Sequence, residues 1–281
     1  MEIKIKEGIN DLYELEKTKK LLEFTFKKNF TIEYLNWLYN ENPFGSAITY
    51  NAWADGKIVA HYTVIPMQYN YTDFDGICGL SLNSATHPLF KGKGLFKNLA
   101  NLTYQKANNR NFSFIYAVAN NQSTWIFENK LKFKNFGSLD VKFGFKNFEK
   151  TSYKKFIISI NHNNKFLQWR LSRPNTNYHI TKLKEYILIW KKIFIFKFLM
   201  CKLKQNEIKS ETNLSSYKYF SPISIYIGNS INFKNSKSFY INFPRIFKPS
   251  PLNLIFKNLD SKITILKKNL IKIDLIDFDI F

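Results

Sequence analysis

The first half of the chain alternates between two hydrophobic periods. Stretches with apolar residues every three or four positions predict amphipathic helices, and stretches in which apolar and polar residues alternate predict strands. Short turns separate them, and Asp55-Gly56 is a strong hairpin signal. The predicted elements, in order, are a strand at 3–5, helices at 12–28 and 31–41, strands at 47–54, 58–71 and 77–86, a helix at 95–108, a strand at 111–119, a helix at 124–130 and a strand at 139–145.

The second half carries more predicted strands than helices. Its most apolar run, 186–200, is interrupted by lysines and predicts a buried pair of strands, since a bilayer span needs about 20 apolar residues. Residues 204–216 are polar and predict a loop, and a helix is expected after Ser250-Pro251 because proline fits the first helical turn. Strands are predicted at 178–182, 186–195, 224–227, 238–243, 263–266 and 270–275.

The element order predicts an α/β (α+β) protein with a mixed, mostly antiparallel central sheet flanked by helices. The segments Tyr34–Tyr39 and Phe166–Leu171 each contain a tryptophan and precede a proline, and they lie nearly half the chain apart. This echo suggests a duplicated fold, and chance similarity between two helices is the alternative. The predicted domains are 1–150 and 151–281, and the second contains no Gly-x-Gly turn.

Composition places the chain among globular proteins, because 45% of its 281 residues are apolar and can form a sizeable core. The net charge of +21 would suit a nucleic-acid binder. However, only four of the 42 basic residues are arginine, the side chain that makes bidentate contacts with bases and phosphates. Such an excess of lysine is typical of an AT-rich genome. We therefore expect no nucleic-acid partner.

The two cysteines, Cys78 and Cys201, provide neither a disulfide framework nor a zinc pattern. They fit a reducing, cytoplasmic setting, and the N-terminus carries no apolar signal-peptide core. We therefore expect no metal ion and no integral membrane segment. The oligomeric state is left open.

The stretch Ser84–Leu99 carries the clearest chemical signal. A predicted strand breaks at Pro88, the chain passes two glycines, and a helix begins near Leu95. Glycines allow the backbone to approach a ligand closely, and the first N–H groups of a helix point outward without partners. Two lysines, at 91 and 93, add positive charge at the same turn. The stretch therefore predicts an anion site, with an ordinary basic turn as the alternative.

The same stretch resembles the GNAT superfamily of acyl-CoA-dependent N-acetyltransferases. That family has Gln/Arg-x-x-Gly-x-Gly/Ala between its fourth strand and third helix, and this chain has Leu89-Phe90-Lys91-Gly92-Lys93-Gly94. Leu89 replaces the usual Gln or Arg. The preceding Thr86-His87-Pro88, the turn Ala119–Ser123 and Leu131-Lys132-Phe133 also resemble family segments. The resemblance covers roughly residues 1–146. Together with the echo of the two tryptophan segments, it predicts a second GNAT-like half that is degenerate because it lacks the Gly-x-Gly motif.

The resemblance implies that acetyl-CoA is the co-substrate. The backbone that leaves the fourth strand would bind the pantetheine arm and the thioester oxygen, and the N–H groups from Leu89 to Gly94 would hold the pyrophosphate, helped by the two lysines. An asparagine after the fifth strand would orient cofactor or substrate, or simply cap a helix. The cofactor-binding candidates are Ser84, Ala85, Thr86, Leu89, Phe90, Lys91, Gly92, Lys93, Gly94, Leu95 and Asn121.

The groups that transfer protons are harder to assign. The family often places a tyrosine on its fourth helix, where this chain has Phe127 and Glu128. Tyr116 on the preceding strand and His87 at the strand exit are further candidates, each with a purely structural alternative. The C-terminus offers Asp274, Asp277, Asp279 and the carboxylate of Phe281, which could form a general base or an amine site, or only a charged tail or edge strand. The catalytic candidates are His87, Tyr116, Glu128 and Phe281.

The leading hypothesis is a cytoplasmic N-acetyltransferase that moves an acetyl group from acetyl-CoA to a primary amine. By resemblance to one bacterial branch, the acceptor would be an amino sugar of surface-polysaccharide synthesis. The missing tyrosine and Leu89 favour the alternative of a non-catalytic GNAT-fold binding or assembly protein. A basic nucleic-acid-binding protein is the third hypothesis, and it is disfavoured by the scarcity of arginine.

Overall fold

The computed structural model describes residues 2–71, 74–145, 152–154, 156–183, 185–205, 221, 223–233, 240–243, 250–260 and 271–278. Contacts divide the chain into two compact units. Unit 1 comprises 1–69, 75–135 and 255–265, and unit 2 comprises 70–74, 136–254 and 266–281. A late segment of the chain therefore belongs to the unit that is otherwise built from the first half.

The described part of the chain combines helices and strands, as the hydrophobic pattern predicts. The helices are α1 Leu12–Phe26, α2 Ile32–Tyr39, α3 Leu95–Asn109, α4 Asn121–Leu131 and α5 Asn164–Leu171. The strands are β1 Lys4–Glu7, β2 Ile48–Ala54, β3 Lys57–Tyr71, β4 Phe74–Thr86, β5 Phe112–Ala119, β6 Lys134–Ser138, β7 Asp140–Gly144, β8 Ser152–Tyr153, β9 Ile158–Ile160, β10 Tyr178–Lys182, β11 Tyr186–Ile193, β12 Phe196–Lys204, β13 Ile223–Gly228, β14 Ile231–Asn232, β15 Tyr240–Asn242, β16 Asn253–Asn258 and β17 Ile271–Lys272.

Side-chain caps begin α1, α2 and α4, and α1 and α2 start where the sequence predicts them. The Asp11 carboxylate accepts the Glu14 N–H at 2.8 Å, and the Thr31 hydroxyl accepts the Tyr34 N–H at 3.1 Å. Helix α4 begins three residues earlier than predicted, because the Asn120 side chain accepts the Ser123 N–H at 2.8 Å. None of the helices within the described ranges is long and apolar enough to cross a membrane.

The sheet of unit 1 has the strand order β1-β2-β3-β4-β5-β16. Strands β1, β2 and β3 pair antiparallel, whereas β4 and β5 pair parallel across the crossover helix α3. Helix α3 packs against β2 and buries Leu95, Leu99 and Tyr104. Helices α1 and α2 pack against each other. This arrangement places the predicted glycine turn between β4 and α3.

The helix predicted after Pro251 is wrong, because the chain forms strand β16 there. Leu254, Ile255 and Phe256 are each at most 1% exposed, and three consecutive buried side chains suit a strand covered on both faces better than a one-sided helix. The Phe256 ring lies 4.4 Å from that of Phe114 on the neighbouring strand β5. Residues 253–258 pair with strands that are distant in sequence, and this pairing outweighs the helix start that Pro251 indicates.

Unit 2 contains a second sheet with the order β10-β11-β12-β13-β7-β15. Strands β11 and β12 form an antiparallel hairpin whose turn holds Phe194 at φ 54°. The predicted buried pair of strands over 186–200 is thereby confirmed, although the single predicted strand 186–195 ends at Ile193. The strand predicted at 270–275 is shorter, Ile271–Lys272, and a 3-10 turn follows at Leu275–Asp277. The strand predicted at 263–266 lies outside the described residues, as does the predicted loop after Gln205.

The two units repeat one local topology. In unit 1 a short helix, α2, precedes β2, β3 and β4, and β4 then pairs parallel with β5 as far as Leu80 and Tyr116. In unit 2 the short helix α5 precedes β10, β11 and β12, and β12 pairs parallel with β13 as far as Leu199 and Tyr226. The same order of helix, three strands and parallel fourth strand supports the predicted duplication.

Candidate active site

The turn that follows β4 is held by its own backbone and by one histidine. The N–H of Leu89 donates to Nδ1 of His87 at 3.3 Å, and the N–H of Phe90 donates to the His87 carbonyl at 2.9 Å. The N–H of Lys91 donates to the Pro88 carbonyl at 3.2 Å. The predicted phosphate-binding N–H groups of residues 89–91 are therefore already occupied within a 3-10 turn.

The next six backbone N–H groups, from Gly92 to Lys97, have no hydrogen-bond partner within the described residues. Gly92 and Gly94 have positive φ angles, 79° and 72°, on either side of Lys93. Such alternation turns successive N–H groups towards one side, and the N-terminus of the 15-residue helix α3 adds its positive dipole there. This cradle, Gly92–Lys97, has the geometry of an anion site.

The side chains of the turn divide into anchors and solvent-exposed groups. Phe90 and Leu95 are buried in the core of unit 1 and fasten the two ends of the turn. Lys91 and Lys93 are exposed, and the Lys93 ammonium lies 5.1 Å from the centroid of the Phe90 ring. Leu89 is 79% exposed. The lysines can therefore reach an anion on the cradle, whereas Leu89 offers it no polar contact.

Strands β4 and β5 separate just before this turn. Their parallel pairing runs only from Ile77 to Leu80 on β4, so the last six residues of that strand, Ser81–Thr86, extend beyond it. The predicted pantetheine-binding residues Ser84, Ala85 and Thr86 lie in this extension, where Ala85 is buried and the other two are half-buried. A backbone edge without its neighbour strand can pair with an extended ligand.

Asn83 interrupts the alternation of β4. It has a φ of 51°, in the left-handed region, which asparagine tolerates better than most residues. Before it, Ser81 donates to the hydroxyl of Tyr62, which lies on the α3 side in the same core cluster as Leu99. After the reversal of φ, the Asn83 side chain instead contacts Tyr39 of α2, with Nδ2 donating to the tyrosine hydroxyl over a long 3.4 Å.

A chain of buried polar side chains starts at Asn83 and ends on α1. The Tyr39 hydroxyl lies 3.1 Å from Nε2 of His61, whose Nδ1 lies 2.7 Å from Oδ1 of Asn51. The Asn51 amide donates to Glu14 at 2.9 Å. Burial lowers the pKa of His61 to about 3 and raises that of the Tyr39 hydroxyl far above its ordinary value. We call this set, Glu14, Asn51, His61, Tyr39 and Asn83, the polar chain.

The predicted catalytic residues of unit 1 occupy different environments. The His87 ring stacks on Phe24 with centroids 4.6 Å apart. Tyr116 is 1% exposed and pairs with Leu80 in the sheet. Glu128 is half-buried on α4. Asn121 is exposed at the first position of α4, and the neighbouring Asn120 acts as the cap. These observations leave the roles of these residues as predictions.

The C-terminal carboxylates take part in a buried network of unit 2. Asp277 accepts from His162 at 2.6 Å and from the Asp274 N–H at 2.7 Å, and Ser230 bonds Asp274. Burial raises the pKa of Asp274, Lys272 opposes that shift, and the Asp277 charge adds to it. These two aspartates therefore do not form the exposed tail or edge strand considered above. Asp279 and Phe281 lie outside the described residues.

Sequence reasoning missed the polar chain. Its members come from α1, α2, β2, β3 and β4, and a lone histidine within a strand is usually structural. One weak signal was available, because Asn and His at inward positions of apolar strands must find buried partners. Among the described residues, no group of three or more His, Cys, Asp or Glu side chains is arranged to hold a metal ion.

No protein-family model and no curated protein matches the sequence. Among solved structures, a GCN5-related N-acetyltransferase from Anabaena variabilis superposes with a TM-score of 0.60 over 92% of this chain and 73% of that one, at 10% identity. The fold is that of the GNAT acetyltransferases.

Two further solved structures superpose over most of this chain. A GCN5-related N-acetyltransferase from Kribbella flavida gives a TM-score of 0.58 over 92% of this chain and 72% of its own, at 6% identity. Eis1 from Mycobacterium abscessus gives 0.53 over 80% and 65%, at 7% identity. The GNAT fold predicted from the Thr86–Gly94 motif is thereby confirmed, and the likeness extends over both units.

Proposed function

We propose that this chain is an acetyl-CoA-dependent N-acetyltransferase that acts on a primary amine. The observation that carries the proposal is the cradle Gly92–Lys97, whose six N–H groups have no hydrogen-bond partner in the described part of the chain, directly after the divergence of β4 from β5. An anion held at the helix N-terminus and an extended chain lying along β4 together match a long ligand with a phosphate end. The GNAT fold supports the same conclusion.

The residues present fit the pyrophosphate of CoA. A Cβ added at Gly92 or Gly94 would meet no atom within 4 Å, so the space above both glycines is open for a ligand. Lys91 and Lys93 would neutralise phosphate charge, and the backbone of Ser84–Thr86 would pair with the pantetheine amides. Acetyl-CoA supplies the activated acyl group as a thioester.

The reaction joins the amine nitrogen to the acetyl carbon and breaks the carbon–sulfur bond. The amine loses a proton, and the thiolate of CoA gains one directly or through water, so no further reactant is needed. This chain would contribute by holding the thioester and the amine together, which lowers the entropic cost of their encounter. For the acceptor we propose an amino sugar, carried over from the resemblance of Thr86–Phe96 to one bacterial branch.

Titration calorimetry with acetyl-CoA tests the binding step. We expect micromolar binding by the wild-type chain that Lys93→Glu weakens roughly fivefold to tenfold, because the substitution reverses a charge beside the phosphates. Lys20→Glu makes the same charge change on the exposed side of α1, and this matched control should bind like the wild type. Equal weakening in both variants, or no binding by the wild type, would overturn the proposed site.

The alternative is a non-catalytic binding protein of the same fold. Helix α4 contains no tyrosine. Of the two residues near the corresponding place, Phe127 is buried in the core of unit 1 and Glu128 is half-buried. Release of free thiol from acetyl-CoA separates the two functions when glucosamine, lysine, tryptamine and spermidine are offered as acceptors. Turnover with any of them supports the transferase, whereas binding without turnover favours the alternative. A cytoplasmic location stays a prediction from the cysteine content.

A further inference from the structure

We propose that the carboxamide oxygen of Asn83 binds the acceptor amine beside the thioester, and that the rest of the polar chain fixes this carboxamide in position. The inference rests on the proposed function and names a substrate-binding residue for it. Asn83 lies within the part of β4 that has left β5, three residues before the strand ends at Thr86. It is half-buried, so a ligand can reach it.

The left-handed backbone of Asn83 selects the face of the sheet on which its side chain lies. In a regular strand, Ser81 and Asn83 would share one face. Ser81 contacts Tyr62 on the α3 face, whereas Asn83, with its positive φ, contacts Tyr39 of α2 on the other face. The Asn83 carboxamide therefore lies on the α2 face of the sheet, opposite the face on which Ser81 contacts Tyr62.

The hydrogen bonds of the polar chain can run in only one direction. Glu14 is a pure acceptor, because its Oε2 already accepts the N–H groups of Ile9 and Asn10, each at 2.7 Å. Asn51 must therefore donate its amide hydrogens to Glu14 and accept from Nδ1–H of His61. Because the Glu14 carboxylate can only accept, the donor in each of these hydrogen bonds is determined. The imidazole of His61 therefore carries its hydrogen on Nδ1.

The same order of donors and acceptors determines which hydrogen-bonding group of Asn83 remains unused. Nε2 of His61 carries a lone pair and accepts the Tyr39 hydroxyl hydrogen, so the tyrosine oxygen can accept from Nδ2 of Asn83. The carboxamide oxygen of Asn83 then has no partner among the described residues. A fixed, half-buried acceptor without a donor is suited to a ligand that brings an N–H group.

The polar chain positions a substrate and does not move a proton. With the pKa of His61 lowered to about 3 and that of Tyr39 raised, both side chains are neutral throughout the physiological range. A carboxamide does not titrate either. Asn83 therefore acts as a hydrogen-bond acceptor for the amine, and Tyr39 acts as a positioning residue through it.

Three variants distinguish the contribution of the Asn83 carboxamide from that of the backbone conformation. Asn83→Gly keeps the left-handed φ without strain and removes only the carboxamide. Asn83→Asp keeps an acceptor oxygen and also tolerates this φ, but it loses the Nδ2 donor to Tyr39. Tyr39→Phe removes the anchor of the carboxamide. The matched controls are Asn101→Ala on the exposed face of α3 and Tyr50→Phe on β2, whose hydroxyl donates to the exposed Glu7.

The measurements are the affinity for acetyl-CoA and the steady-state acetylation of glucosamine, lysine, tryptamine and spermidine. For the accepted amine we expect Asn83→Gly to raise KM about tenfold with an unchanged affinity for acetyl-CoA, as one lost hydrogen bond predicts. Tyr39→Phe should raise KM about threefold, and Asn83→Asp should stay within about threefold of the wild type. Both control variants should match the wild type.

The outcomes distinguish this inference from the proposed function. A wild-type chain that does not bind acetyl-CoA overturns the proposed function, and the inference with it. If acetyl-CoA binds normally, the inference alone is overturned by an Asn83→Gly variant with unchanged KM, or by a kcat that falls while KM stays constant. Binding of acetyl-CoA with no amine of the panel acetylated also counts against it, since the carboxamide would then have no amine to hold.

Discussion

His61 should make unit 1 lose stability on mild acidification, and the size of this loss can be worked out. The imidazole is 1% exposed and held between Tyr39 and Asn51. Burial lowers its pKa from 6.5 to about 3. As the pH falls, His61 is therefore protonated near pH 6.5 in the unfolded chain, but only near pH 3 in the folded chain. Stability from this group is complete above pH 6.5 and is lost as the pH falls towards 3.

The linkage between proton binding and unfolding gives the size of this loss of stability. Each pH unit between the two pKa values changes the free energy of unfolding by about 1.4 kcal/mol for one proton. Between pH 7 and pH 5 the loss comes to about 2 kcal/mol, because the first part of that interval lies above the unfolded pKa. The substitution His61→Gln removes the titration. Its amide can accept from Tyr39 and donate to Asn51, so the hydrogen-bond order is preserved.

Amide hydrogen exchange of the peptide 57–71, which covers β3, measures the opening free energy of unit 1 at each pH. We expect His61→Gln to be less stable than the wild type at pH 7 and to recover about 2 kcal/mol relative to it at pH 5. The imidazole resonance of the wild type should show no titration between pH 5 and 8. A variant with the same pH slope as the wild type, or an imidazole that titrates near 6.5, would refute the reasoning.

Three further predictions concern packing and buried charge. Gly79→Ala would place its Cβ 2.3 Å from Val64, so it should cost about 1–3 kcal/mol by overpacking and lower the melting temperature in a calorimetric scan. Trp37→Ala should cost about 3–5 kcal/mol in urea unfolding, because this α2 side chain is 1% exposed, and a milder loss would indicate that the site collapses. Burial raises the pKa of Asp274, so its contribution to stability falls as the pH rises from about 4. Asp274→Asn should flatten that part of the profile of stability against pH. An unchanged profile would contradict the raised pKa of Asp274.

Local signals predicted most of unit 1 correctly. Asp11 and Thr31 cap their helices by hydrogen bonds within three residues of themselves, and Asp55-Gly56 closes its hairpin with positive φ angles at both residues. The cradle at Gly92–Lys97 follows the same logic, because two glycines and a helix start are visible without any tertiary contact. The prediction erred by three residues in assigning the free N–H groups, since His87 and Pro88 fold back on the turn.

Long-range contacts account for what local signals could not predict. Strand β16 forms because its three consecutive apolar residues enter the sheet of a unit built mainly from the first half. Asp274 and Asp277 are buried because His162 and Ser230, distant in sequence, provide their partners. The choice between an exposed acidic tail and a buried network therefore depended on contacts that composition does not contain.

The sequence by itself determined the alternating periods, the helix caps and the glycine turn, because each depends on interactions between residues a few positions apart. Only the tertiary structure decided that Asn83 leaves the face of Ser81 and that His61 is neutral. Both depend on desolvation and on hydrogen-bond partners from separate elements, which come together only when the sheet and its helices have packed.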